Sequence, residues 1–298
     1  MAEQTFTAVD LSRLPAPAVV EELSFETILT EMLAELRARD PSFTATVESD
    51  PAYKILEVCA YRETLIRARV NDAARSIMLA YATGSDLDHL AAVFGVSRLL
   101  IAPANALSGT PEVFEKDVDL RRRVTLAPEG YSVAGPEGAY IFHALSADPL
   151  VLDASCESPQ PGRVVVTILS RQAEGAASDA LLNAVTAALN ADTVRPLTDE
   201  VLVQSATLID YEVVAQISTF AGPDAALVLA ASNSRLAALI EDNRRLGRDI
   251  TRSAIFAALH APGVHRVVLI SPPTDIIVNR DEVAVCTARA VTHAGAGE

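Results

Sequence analysis

The sequence predicts an α+β protein of several small domains, a helical N-terminal region followed by compact α+β units. Three observations predict it. Apolar residues recur at three and four through the first hundred positions, the period shifts to β-branched runs after Gly162, and strand and helix patterns then alternate to the end. At 298 residues the chain is long for one core. Half the residues are apolar and 21% are charged, with 13 Gly and 16 Pro, the composition of a folded protein. The boundaries read as 1–105 for the helical region, 106–160 for a mixed connecting region, 161–206 for a middle α+β module that draws on part of the connecting region, and 207–298 for a C-terminal α+β domain.

After a start punctuated by Pro15 and Pro17, the spacing of Phe25, Ile28, Leu29, Met32, Leu33 and Leu36 predicts a helix ending near Asp40-Pro41. A longer helix is expected over 52–82, roughly 45 Å at 1.5 Å per residue. Ile55, Cys59, Ile66, Val70, Ala73 and Ile77 fall on one stripe of it, opposite Thr64, Arg67, Asn71 and Arg75. Gly84 can take the left-handed conformation that ends such a helix, and Ser85 with Asp88 has the spacing of a capping box. The short helix that follows turns Leu87, Leu90, Ala91 and Phe94 inward and stops at Gly95.

Between Pro103 and Pro161 five further prolines break the pattern, and only a short helix over 136–146 is expected. Arg163 to Ser170 predicts a strand, Ser178 caps a helix running to Asn190, and Val201–Val203 resumes extended structure. A similar order follows: a strand over 211–220, helices over 223–245 and 251–260, and a strand over 264–271. The small, polar stretch 290–298 reads as a frayed tail.

The net charge of −15 repels phosphate backbones, so neither nucleic acid nor an anionic membrane surface is an expected partner. Cys59, Cys156 and Cys286 are odd in number, widely spaced and set among apolar residues, which suits buried thiols in a reducing compartment. Met1–Thr5 lack the basic start and apolar run of an export signal, and apolar stretches such as 225–231 are far below spanning length.

Chemistry-bearing patterns are sparse. There is no Cys-x-x-Cys, His-Glu-x-x-His or Gly-x-Ser-x-Gly, and Gly130, Gly135 and Gly138 lack the following Lys-Ser/Thr of a phosphate cradle. His260 and His265 bracket the turn Ala261-Pro262-Gly263, while His89, His143 and His293 stand alone. Asp86 and Asp88 precede an apolar helix at once, which favours capping over calcium. Glu31, Glu35, Asp199 and Asp249 read as surface, cap and turn carboxylates, so no acid–base pair can be singled out. Arg121-Arg122-Arg123 is the one dense basic run, and in so acidic a chain it is expected to pair with carboxylates. The expected sets of catalytic, cofactor-binding and metal-binding residues are therefore empty. From the residues alone, other classes stay open: a cytoplasmic α/β enzyme with a pocket at a domain junction and 130–138 as its active-site loop, or an oligomeric regulatory module joined through 55–77.

The order of several short motifs carries more information than any one of them. Thr83-Gly84-Ser85-Asp86-Leu87-Asp88-His89-Leu90-Ala91 followed by Gly95-Val96-Ser97-Arg98, Glu129-Gly130-Tyr131-Ser132, Gly135-Pro136-Glu137-Gly138-Ala139-Tyr140, Pro161-Gly162-Arg163-Val164 and Val194-Arg195-Pro196-Leu197 together resemble the baseplate J-like family, over roughly residues 20–285. The resemblance implies a structural wedge component of a contractile phage tail, or of a phage-derived injection machine. It implies assembly in the host cytoplasm, residence in the virion baseplate and relay of the contraction trigger. It implies two copies of the chain clasping an I-like tail protein, with other wedge and hub proteins around them. The long helix is the expected site of that contact, through Ile55, Cys59, Arg62, Ile66, Arg69, Val70, Ala73 and Ile77.

Overall fold

A computed structural model describes residues 11, 14, 17, 19–42, 48–222 and 224–297. Met1–Thr5, Pro15, Pro223 and Glu298 lie outside the described residues. The chain divides into two compact units, one of residues 9–97 and one dominated by 98–298.

In the first unit, α1 (Phe25–Arg39) starts where Ser24 accepts from the Thr27 N–H, and α2 (Pro51–Ser76) starts where Asp50 accepts from Ala52 with Pro51 in the first turn. The two helices pack through Ile28, Leu29 and Ala60, with Phe25, Met32, Leu33, Tyr53 and Leu56 around them. Asn71 is buried on this same face and forms a reciprocal pair with the backbone of Glu21, accepting from its N–H at 3.0 Å and donating to its carbonyl at 2.9 Å. A buried amide is tolerated there because both of its polar ends are matched.

Two expectations for this unit need correction. The long helix ends at Ser76, not Ala82, because the chain turns through Ile77–Tyr81. At 26 residues it is about 39 Å long. α3 (Gly84–Val93) begins two residues earlier than a Ser85 cap requires: its N-cap is Thr83, without a side-chain cap bond, and Gly84 enters at φ +54. Leu87 and Ala91 are buried, whereas Phe94, expected inward, is the C-cap and exposed. Gly95 closes the helix at φ +70, and the Val96 N–H reaches back to the Ala91 carbonyl at 3.1 Å.

The second unit opens with β1 (Leu100–Ala102) paired antiparallel to β2 (Val113–Phe114), then α4 (Asp117–Leu126) and α5 (Glu137–Ala147). The proline spacing left α4 unpredicted. Its pattern is dominated by charge, and the side chains it buries include Asp119 and Arg123. Next, β3 (Val151–Gln160) pairs antiparallel with β4 (Arg163–Ser170), and β4 pairs parallel with β5 (Glu200–Ser205) across α6 (Asp179–Leu189). β4-α6-β5 is the strand–helix–strand unit the sequence predicts, with Ser178 accepting from the Leu181 N–H and Asn190 as C-cap. β3 was also missed; it belongs to a hairpin that joins the connecting region to the middle module.

The terminal sheet has the order β7-β6-β8, with β6 (Thr207–Phe220) antiparallel to β7 (Val264–Ser271) and parallel to β8 (Glu282–Gly297). α7 (Ala225–Asn243) and α8 (Arg252–Leu259) cover the face that carries Tyr211, Val213 and Ala215. The expected frayed tail is corrected here: residues 290–297 are the second half of β8, held by backbone pairing from Ala290↔Val214 to Gly297↔Phe220. A smaller cluster of Leu169, Ala206, Leu246, Val283 and Val285 joins the two sheets of this unit. Gly175 sits against it at φ +124, where a Cβ would lie 2.7 Å from Leu169 Cδ1.

Candidate partner interface

The eight residues expected at an interface all lie on the uncovered side of α2 or at its C-terminal turn. Ile55, Ile66, Val70 and Ile77 are 64, 66, 54 and 71% exposed, and Cys59, Arg62, Arg69 and Ala73 are exposed with them. Val58 and Leu65 extend the apolar strip. Cys59, expected as a buried thiol, is therefore exposed. The reason lies in the helix phase, since the face packed on α1 is the one carrying Ala60 and Asn71. Tyr53, Leu56, Ala60 and the matched Asn71 fill that face, leaving Ile55, Ile66 and Val70 outside. The strip is therefore left exposed along the length of α2.

Elsewhere, several groups that could carry chemistry are engaged in structure. His143 Nε2 lies 3.1 Å from the Gly130 carbonyl, and burial lowers its pKa against the opposing effect of that contact. A Cβ on Gly130 would enter the Phe142 ring, and Gly135 abuts Pro196 and Asp199. The loop 130–138 is thus anchored at Gly130 and Gly135, while Tyr131 and Val133 are exposed, and Asp199 accepts from the Tyr140 hydroxyl at 2.8 Å. Burial pushes the Cys156 thiol up to about 12, helped by the charges of Glu137 and Glu157, so little of it is thiolate at neutral pH. His265 stacks edge-on against Phe220, and His293 lies 3.2 Å from the Thr219 hydroxyl. Among the described residues, no group of three or more His, Cys, Asp or Glu is placed to hold a metal, and no helix is long and apolar enough to cross a membrane.

Arg122 and Arg123 of the basic run join a largely buried ion-pair lattice that sequence reasoning found only by half. Arg123 meets Glu115 at 2.6 Å and Arg122 meets Asp153 at 2.6 Å, while Asp119 lies between Arg171 at 2.8 Å and Arg245 at 2.7 Å. Asp153 also accepts from the Leu246 N–H at 3.0 Å, and Arg245 donates to the Leu152 carbonyl at 2.9 Å. Burial raises the Asp119 pKa, but the guanidinium groups of Arg245 and Arg171 outweigh it and hold the carboxyl below its ordinary value. Oppositely charged groups matched this closely form a brace between α4, the β3–β4 hairpin and the end of α7.

The chain belongs to the baseplate J-like family: the Baseplate J-like N-terminal domain matches residues 48–105, the central domain 132–205 and the C-terminal domain 211–292. Its class is that of structural subunits of the phage tail baseplate. Among named relatives, "Baseplate protein J" of Escherichia phage P2 is 46% identical over 299 residues, covering 97% of this chain and 99% of that protein. A chain of the anti-feeding prophage (AFP) baseplate, solved by cryo-EM, is 18% identical at a TM-score of 0.39, with 61% of this chain and 42% of that chain covered.

Proposed function

We propose that this chain is a wedge subunit of the baseplate of a contractile phage tail or phage-derived injection machine, needed for baseplate assembly and for relay of the contraction trigger. It packs α2 into a helical bundle with a second copy of itself and with the I-like tail protein, and other wedge and hub proteins surround that bundle. The observation that carries this reading is the uncovered apolar strip of α2, from Ile55 to Ile77. In the same reading, residues 1–105 are the partner-binding region, 106–160 and 161–206 join through the β3–β4 hairpin as the central module, and 207–298 close the chain. The subunit acts mechanically, by shifting between two arrangements of packed domains, and works without catalysis, cofactor or metal. It engages neither nucleic acid nor membrane and assembles in the host cytoplasm before residing in the virion.

The test is co-expression with the adjacent tail genes and sizing of the purified complex. The parent chain is expected to copurify with the I-like protein in a complex holding two copies of the chain. Ile66→Asp and Val70→Asp are expected to abolish copurification while each isolated chain keeps its folded far-ultraviolet dichroism. Unchanged assembly of both folded variants would overturn the interface.

A further inference from the structure

The five cations of α2 fall into two sets. Lys54, Arg67 and Arg75 each pair with a carboxylate of the same helix, at 2.9 Å to Glu57, 2.5 Å to Glu63 and 3.9 Å to Asp72. Arg62 and Arg69 are exposed and make no ion pair or hydrogen bond among the described residues. These two lie inside the uncovered strip. Ile55, Cys59, Arg62, Ile66, Arg69 and Ala73 follow one another at intervals of four and three, the spacing of a coiled-coil seam, with the arginines one heptad apart. They are therefore separated by about 10.5 Å along the axis.

A seam that holds two unpaired arginines restricts what can cover it. Every carboxylate of α2 is already committed to Lys54, Arg67 or Arg75, so a second copy docking seam to seam brings four guanidinium groups together and no free anion. Like charges so placed disfavour association. Resting on the reading of α2 as the interface, we propose that this seam is specific for a different chain: an amphipathic helix carrying carboxylates one heptad apart, matched to Arg62 and Arg69. The stems of both arginines lie along the apolar strip while their charged ends meet the partner's carboxylates. Each copy in the bundle then faces the acidic helix, and the copies do not face each other through this seam.

The test uses the full chain and two synthetic three-heptad peptides with the same apolar seam, one with Glu and one with Lys at two positions a heptad apart. Fluorescence anisotropy is expected to give the Glu peptide a Kd at least about tenfold lower than the Lys peptide, falling toward parity at high salt. Arg62→Glu with Arg69→Glu is expected to reverse the preference. Arg62→Gln with Arg69→Gln is expected to erase it and serves if the double reversal fails to fold. Equal affinity, binding of neither peptide, or a preference unchanged by these variants overturns the proposal. So does a dimer of the parent chain alone that Ile66→Asp dissociates in sedimentation equilibrium. Ile66→Asp also separates the two readings: if it leaves Glu-peptide binding intact, α2 is not the interface. If it weakens both peptides equally and no charge preference exists, only the inference about the arginines falls.

Discussion

At the scale of single residues, Asp119 concentrates the energetics of the larger unit. It is buried between two guanidinium groups, and removing its charge leaves Arg171 and Arg245 without the anion between them. Asp119→Asn is expected to destabilise the chain by about 3 kcal/mol in urea unfolding. Because its folded pKa is depressed, Asp119 contributes stability in full above the unfolded value of about 3.9, and that contribution is lost as pH falls through the folded pKa. The gap between parent and variant should therefore narrow below about pH 4. A gap constant from pH 7 to pH 3 would remove the electrostatic account. The pairing of Arg122 and Arg123 with carboxylates was legible in so acidic a chain. Their partners were not, since Glu115 and Asp153 are brought to them by the fold and no local spacing announces them.

At the scale of elements, α2 shows what a periodic pattern can and cannot say. The apolar stripe was legible, and its residues lie exposed along the helix. Which face packs inside the chain was not, because beyond Tyr53 and Leu56 the inner face is written in Ala60, Thr64 and Asn71, and small or polar residues carry little hydrophobic signal. Ala60 is fully buried against Ile28 and Leu29, so Ala60→Leu is expected to cost about 1–3 kcal/mol by overpacking. Ile66→Asp is expected to change the unfolding of the isolated chain by less than about 0.5 kcal/mol. The reverse ranking would mean that the helix is rotated. The tail 290–297 was misread for a related reason: Ala and Gly have low β-propensity, and this strand forms through backbone pairing with β6. Deleting these residues is expected to lower stability by more than about 2 kcal/mol, because β6 loses a ladder partner and Val291 leaves the core. An unchanged melting temperature would restore the frayed tail.

At the scale of the molecule, the family's central and C-terminal domains are continuous in energy although they are separate in sequence. Leu169 from β4, Leu246 after α7, and Val283 and Val285 from β8 share one buried cluster, and the Asp153 and Arg245 contacts brace the same junction. Two sheets joined this way should open together, since parting them exposes apolar side chains and buried ion pairs at once. Native-state hydrogen exchange of the full chain is therefore expected to give the amides of Val166 and Ile168 in β4 the same opening free energy as those of Val213 and Ala215 in β6. Leu246→Ala should lower both by about 2–5 kcal/mol, the range for a truncated core leucine. If it lowers the β6 amides alone, the junction is a docking contact between independent domains. Equal loss makes residues 98–297 one mechanical block, so that a load applied at either sheet is carried across the junction without local unfolding. The relay proposed for this subunit requires that stiffness.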